Sequence, residues 1–185
     1  MDSVNLVLPL YKYSFPQLIT KQVCKDYRKS FPQSNKTNVQ AWHSNYNTHK
    51  TTNVFDPLID VTLHMCYDIS IGFFNCHIKK EGRFVVDSLW LAMYEKNDHT
   101  IIHHHFPFQF AACYYVDVND DSSPITFGVN NDTVSIQPET GMLLIWNGII
   151  PHKVAPTKKK RTCICMNVSM KKNIKSDTDS IPIFY

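Results

Sequence analysis

The stretch Gly141–Ser169, GMLLIWNGIIPHKVAPTKKKRTCICMNVS, carries the pattern that decides the fold. Three short apolar runs stand in it, Met142 to Trp146, His152 to Ala155 and Arg161 to Ser169. Asn147-Gly148 marks a turn after the first, and the lysine run 158–160 reads as a solvated loop before the third. Runs this short, bounded by turn residues, read as β-strands. Along the third, Arg161, Cys163, Cys165 and Asn167 alternate with Thr162, Ile164 and Met166, so one face carries a guanidinium. A buried arginine needs a partner, and its planar fork matches a carboxylate.

The same texture extends upstream to Gly82. Phe84 to Tyr94, Phe108 to Val118, Ile125 to Val129 and Thr133 to Ile136 are β-rich. Asn119-Asp120-Asp121, Asn130-Asn131-Asp132 and Pro138-Glu139-Thr140-Gly141 are the turns between them. Short strands at this spacing point to a sandwich or barrel. The first half reads differently. Ser14 and Pro16 open a helix to about Ser30, with Ile19, Val23, Tyr27 and Phe31 four residues apart. Asp56-Pro57 opens a second helix, whose Ile59, Leu63, Cys66, Ser70 and Phe73 continue to about Ile78. The polar segment Gln33 to Asn53 lies between them. The expected fold class is α+β: N-terminal helices packed on a double-stranded β-helix (jelly-roll) core. One domain is expected over residues 1–185, with a helical and loop part at 1–80, a β core at 83–170 and a polar tail at 171–185.

Composition supports a folded chain with a core. Of 185 residues, 43% are hydrophobic and 12% aromatic, which argues against disorder. A net charge of +3 is too mild to indicate nucleic acid. The second basic run, KKNIK at 171–175, is expected to be solvated like the first. No run of 18 apolar residues exists, so no membrane span is expected. MDSVNLVLPLYKY lacks a basic n-region and does not read as a signal peptide. Six cysteines without a CxxC pair suggest reduced thiols and a cytoplasmic setting.

The triplet His103-His104-His105 precedes the Tyr114-Tyr115 run. On a strand, His103 and His105 would share a face and His104 would point away. His152, on a later strand, can supply a third imidazole. Imidazole suits Fe(II), Zn, Cu and Ni, so residue type alone does not select the metal. A histidine run can also lie in a solvated loop. The usual facial triad has two histidines and a carboxylate. Here His105 takes the middle position, which leaves the site about one charge more positive. Asp98 and Asp117 are outside carboxylates without H-x-D spacing. A dicarboxylate with its near end on the metal would present its far end to Arg161. Tyr115 could add a phenolic hydrogen bond to that end, or be an ordinary core aromatic. Tyr114 should face the opposite side.

These residues resemble the iron(II)/2-oxoglutarate-dependent dioxygenases, in particular the small prolyl-hydroxylase-like branch found in bacteria and the viruses that infect them. Ser34-Asn35 followed by Trp42-His43-Ser44 is similar to an N-terminal element of that branch. Ser88 to Met93 resembles the strand before its metal motif. His103-His104-His105-Phe106-Pro107 resembles its HxHP element with one residue inserted. Ala111 to Val116, Ile125-Thr126-Phe127, Gly141 to Trp146, Pro151 to Pro156 and Arg161 to Asn167 follow in the family's order. The resemblance spans roughly residues 33–168. It implies that His103, His105 and His152 hold Fe(II) and that Arg161 and Tyr115 bind 2-oxoglutarate. The family's second co-substrate contact, a Ser or Thr two residues after the Arg, falls at Cys163. The implied chemistry is O2-driven decarboxylation of 2-oxoglutarate to succinate, coupled to hydroxylation of an unactivated C–H bond. The partners implied are this small-molecule co-substrate and a substrate of open class: peptide, nucleotide or metabolite. Location would be cytoplasmic, or the host cytoplasm for a viral protein. Trp42 and His43, in the polar segment, are candidate substrate contacts.

Two other readings stay open on sequence. One is a cupin-like three-histidine iron dioxygenase without 2-oxoglutarate, in which Arg161 clamps the substrate's own carboxylate. The other is a non-catalytic jelly-roll binding or viral structural module with a surface histidine cluster.

Overall fold

Along β-rich runs such as 89–94, 110–116 and 142–146 the sequence is apolar at nearly every position, and a strand sends successive side chains to opposite faces, so both faces of these runs are buried. The computed structural model describes residues 9–35, 37–74, 82–129 and 132–172. Its elements are β1 (Leu10–Ser14), α1 (Lys21–Ser30), β2 (Val39–Gln40), β3 (Trp42–His43), a 3-10 turn (Thr48–Lys50) and α2 (Asp56–Phe74). Then come β4 (Gly82–Tyr94), β5 (His99–His103), β6 (Phe110–Val118) and β7 (Ile125–Val129). The last four are β8 (Asp132–Ile136), β9 (Met142–Asn147), β10 (His152–Val154) and β11 (Arg161–Lys172).

The strands form two sheets. A large one has the order β1-β9-β6-β11-β4-β3, and a small one the order β2-β5-β10-β7-β8. The pairings are antiparallel. From β4 to β11 the chain passes back and forth between the sheets, a jelly-roll-like arrangement.

Period-two alternation divides the large sheet's side chains between two apolar clusters. Trp90, Tyr94, Ala111, Cys113, Tyr115, Leu144, Trp146 and Cys163 join Val39, Ile125, Phe127 and Val154 of the small sheet. The alternate residues Leu89, Leu91, Tyr114, Leu143, Ile145, Ile164 and Met166 join Cys24, Tyr27, Leu58 and Cys66 of the helices. Tyr114 and Tyr115 thus diverge as expected, and the Tyr114 hydroxyl donates to the Phe15 carbonyl at 2.8 Å.

Several boundaries differ from the sequence reading. Ser14 ends a strand instead of opening a helix, because Leu10–Ser14 pairs with the free edge of β9. Helix α1 starts later, capped by the Thr20 side chain, which accepts from the Val23 amide. Phe31 falls at the C-cap and is 44% exposed, while Cys24 is fully buried. Helix α2 is seen to Phe74, and its expected extension to Ile78 lies outside the described residues. The polar segment contributes two short strands, β2 and β3, to the two sheets. Strand β11 runs to Lys172, so the expected polar tail begins within it, and residues 173–185 lie outside the described residues. So do residues 1–8 and the expected turn at Asn130-Asn131.

Candidate metal centre and anion pocket

His152 opens β10 and stands directly opposite both His103 at the end of β5 and Phe127 on β7. The small sheet therefore presents His103 and His152 side by side, with ring centroids 4.3 Å apart. His105 reaches the same point by another route. Strand β5 ends at His103, so His105 is not placed by strand alternation. Its position comes from a turn in which its amide donates to the Gly148 carbonyl at 2.7 Å and its carbonyl accepts from Phe108. The His105 and His152 Nε2 atoms are 3.4 Å apart. One ligand atom from each of the three histidines lies within 4.8 Å of the others. Metal–nitrogen bonds of about 2.0–2.1 Å bring two ligands on one ion to about 3–3.4 Å, a spacing the His105 and His152 nitrogens already have.

Tautomer and charge also suit a metal. The His103 Nδ1 lies 2.9 Å from the Ile101 carbonyl and the His152 Nδ1 lies 3.3 Å from the Ile150 carbonyl. A carbonyl can only accept, so Nδ1 carries the proton and Nε2 is left as a lone-pair donor. Burial, reinforced by the neighbouring His103, pulls His152 down to about 2 and His105 down to about 3. Burial also lowers His103. All three imidazoles are thereby neutral, the form that binds a cation. His104 is exposed, and its Nδ1 accepts from the Phe106 amide at 3.2 Å.

Aromatic rings surround the group. Trp146 lies 4.9 Å and Phe127 5.7 Å from the His152 ring, and Trp90 lies 6.0 Å from His105. Among the described residues, no carboxylate lines the cavities at the histidines. Asp98 instead accepts from the Glu95 amide, and Asp117 pairs with Lys21.

Deeper in the same cavity the large sheet supplies Arg161, Tyr115, Tyr94, Cys113, Cys163 and Cys165. Arg161 opens β11 and is 2% exposed. One guanidinium nitrogen, Nη1, donates to the Ser123 carbonyl at 2.9 Å, while Nε has no partner. The Tyr115 hydroxyl is likewise buried without a partner. Among the described residues, no carboxylate forms an ion pair with Arg161. A buried cation and a buried phenol left open in one cavity form a receptor for an anion. These open donors sit in one cavity with a neutral three-imidazole group, so the residues fit Fe(II) and a chelating dicarboxylate.

Trp42 and His43 stand elsewhere. Trp42 donates to the Pro32 carbonyl and packs beneath the Arg28 guanidinium. His43 is fully buried between the Ser44 carbonyl and the Thr37 hydroxyl. Neither lines a cavity at the histidines. The sequence reading passed over several residues that do. Tyr46, Ser88, Trp90, Phe108, Asn38 and Asn167 line an outer cleft of about 410 Å³ beside His103–His105. Asn167 could have been read from its alternation with Arg161, and Trp90 from its alternation with Tyr94. Nothing in the local pattern marks Tyr46.

No family model matches the chain, and no curated protein matches it in sequence. Solved structures do match in shape. A prolyl-4-hydroxylase from Pseudomonas putida is similar at TM-score 0.62 and 13% identity, over 86% of this chain and 91% of that one. A prolyl hydroxylase from Trichoplax adhaerens, solved with a hypoxia inducible factor peptide, gives 0.61 and 14%, over 86% and 83%. The viral collagen prolyl hydroxylase of Paramecium Bursaria Chlorella virus-1, solved with 2-oxoglutarate, gives 0.55 and 11%, over 85% and 95%. The chain therefore has the fold of the 2-oxoglutarate-dependent prolyl hydroxylases.

Proposed function

We propose that this protein is an Fe(II)- and 2-oxoglutarate-dependent oxygenase that hydroxylates a C–H bond, acting as one domain over residues 1–185. The observation that carries this reading is the unpartnered Arg161 Nε and Tyr115 hydroxyl in the cavity that holds His103, His105 and His152. The helices, which share an apolar cluster with the large sheet, support it as a buttress behind the site.

In this reading the three histidines hold Fe(II) through Nε2, with the Ile101 and Ile150 carbonyls fixing the His103 and His152 rings. Bound Fe(II), with O2 and 2-oxoglutarate, supplies the oxidising chemistry that yields succinate, CO2 and a hydroxylated product. Arg161 clamps the far carboxylate through its free N–H, and Tyr115 donates to the same group. Cys163 occupies the place beside Arg161 on the same strand face. Trp90, Trp146 and Phe127 keep water from the reacting atoms. The outer cleft bounded by Tyr46, Trp90 and Phe108 receives the substrate. A peptide is the class we favour, because the Trichoplax neighbour was solved with one in place.

The test is reconstitution of the purified protein with Fe(II) under air, following succinate release from 2-oxoglutarate with and without candidate peptides. Binding of Fe(II) with 2-oxoglutarate-dependent succinate formation is expected. Metal binding without any 2-oxoglutarate binding would favour the cupin-like reading, in which Arg161 holds a substrate carboxylate.

A further inference from the structure

Three thiols converge on the inner face of the large sheet. Cys163 and Cys165 are two residues apart on β11 and share a face, and Cys113 stands opposite Cys165 on β6. Their sulfur atoms all lie within 4.8 Å of one another, and the Cys165 and Cys113 sulfurs are 3.8 Å apart. Cys113 and Cys163 are buried and Cys165 is half-buried, and all three line a cavity. All five described cysteines, these three among them, are free.

Packing alone does not require this arrangement, since a buried strand face is ordinarily filled by branched apolar side chains. The spacing has a chemical meaning. Metal–sulfur bonds of about 2.3 Å hold three thiolates on one ion about 3.8–4.0 Å apart. Hydrogen bonding divides the trio. Bonds from Cys113 and Cys165, helped by the Arg161 charge, hold the Cys163 thiol well below the usual thiol range. Hydrogen bonds within the trio and burial hold Cys113 and Cys165 above it, so a bound cation must displace the protons of those two. Thiolate donors select soft cations, not the hard ions that oxygen ligands prefer.

We propose that Cys113, Cys163 and Cys165 form a second metal site, a trithiolate that takes a thiophilic d10 cation of the Cu(I) or Zn(II) type. For each cysteine still protonated, the S–H bond breaks with its electron pair remaining on sulfur, and its proton passes to solvent as the metal–sulfur bond forms. A sulfur already ionised binds without releasing one. No electron is transferred. Arg161 lies beside the site and offsets part of its negative charge. The thiols line the same cavity as Arg161 and Tyr115, so the cation and the co-substrate of the function proposed above would compete for that space, but the titration below reads the thiols without Fe(II) or 2-oxoglutarate.

The test is an anaerobic titration of the full-length reduced protein with Cd(II), read by sulfur-to-cadmium charge-transfer absorption. Histidine nitrogen gives no such band. We expect a saturable band in the wild type that survives in His152→Ala, Cys24→Ser and Cys76→Ser and is lost in Cys113→Ser and Cys163→Ser. Far-ultraviolet circular dichroism checks that the serine variants are folded. Transfer of Cu(I) or Zn(II) from a chelator buffer to the same thiols would show which cation the site retains. The absence of a band in the wild type, or a band that persists in folded Cys113→Ser and Cys163→Ser, would overturn the proposal.

Discussion

The Arg161 guanidinium carbon lies 4.3 Å from the centroid of the Tyr94 ring, which it faces as a cation over a π surface. Such a contact is worth about 0.5–2 kcal/mol, less than the several kcal/mol that burying an unpaired charge costs. With only the Ser123 carbonyl hydrogen-bonded to it and its Nε open, the guanidinium is incompletely satisfied in the free protein, and in the function proposed above an anion completes it. Arg161→Met should raise the melting temperature of the anion-free protein, by a gain of about 1–4 kcal/mol. The same change should abolish the stabilisation that 2-oxoglutarate gives the metal-loaded wild type. Thermal denaturation with and without the acid checks both. A variant still stabilised by 2-oxoglutarate would show that the anion sits elsewhere.

His152→Ala removes the one buried member of the proposed ligand trio and the residue that faces His103 across the strand pair. Iron affinity should fall by more than the roughly 10–100-fold that loss of an outer-shell partner costs. Metal analysis after gel filtration reads this directly. Iron retained at wild-type stoichiometry would refute the three-histidine assignment.

Gly148→Ala tests how His105 is held. A β-carbon at Gly148 would lie 2.1 Å from the Phe108 carbonyl oxygen and 3.0 Å from its carbon. Both are backbone atoms, so the turn must shift, and with it the Gly148 carbonyl that accepts from the His105 amide. The expected result is a loss of about 1–3 kcal/mol in stability, with weaker iron binding. Chemical denaturation and metal titration measure the two effects. Wild-type values for both would mean that the turn does not position His105.

Seven strands after Gly82 were legible because turn residues bound the apolar runs between Phe84 and Ser169, whereas β5, His99–His103, was not among the runs read. Arg161 and Tyr115 could be paired because period two sends each to the inside of the barrel. His105 was harder to place. Alternation would put it beside His103, but β5 stops at His103, and long-range hydrogen bonds from the turn at Gly148 bring it back. Strand β1 was missed because a five-residue strand at a sheet edge carries little pattern of its own, and its partner β9 lies more than a hundred residues away. The helical reading of Ser14-Pro16 rested on capping propensity, which tertiary pairing overrode.

His43 gives a pH signature outside the metal site. It is fully buried, with Nδ1 2.7 Å from the Ser44 carbonyl and Nε2 2.9 Å from the Thr37 hydroxyl. Burial lowers its pKa below the usual value of about 6.5. As pH falls below 6.5, the unfolded chain takes up a proton that the folded chain refuses, so folding stability declines. The other buried histidines act in the same direction, and only a difference isolates His43. In metal-free protein, His43→Gln should flatten the acid slope of stability by up to about 1.4 kcal/mol per pH unit. Urea denaturation at a series of pH values checks this. An unchanged slope would show that His43 is protonated in the fold.

His103 and His152, the metal ligands we propose, belong to the small sheet, while Arg161 and Tyr115 belong to the large one. The separation between the two proposed binding points is thus set by the spacing of the stacked sheets, about 10 Å between backbones, less the reach of the side chains that project inward from each. Sheet spacing acts as a caliper on the length of any molecule that must touch both. A bulkier side chain wedged between the layers, as in Leu144→Phe, would widen that gauge without touching a ligand. The preferred dicarboxylate should then change in chain length, and chain-length selectivity becomes a property of core packing.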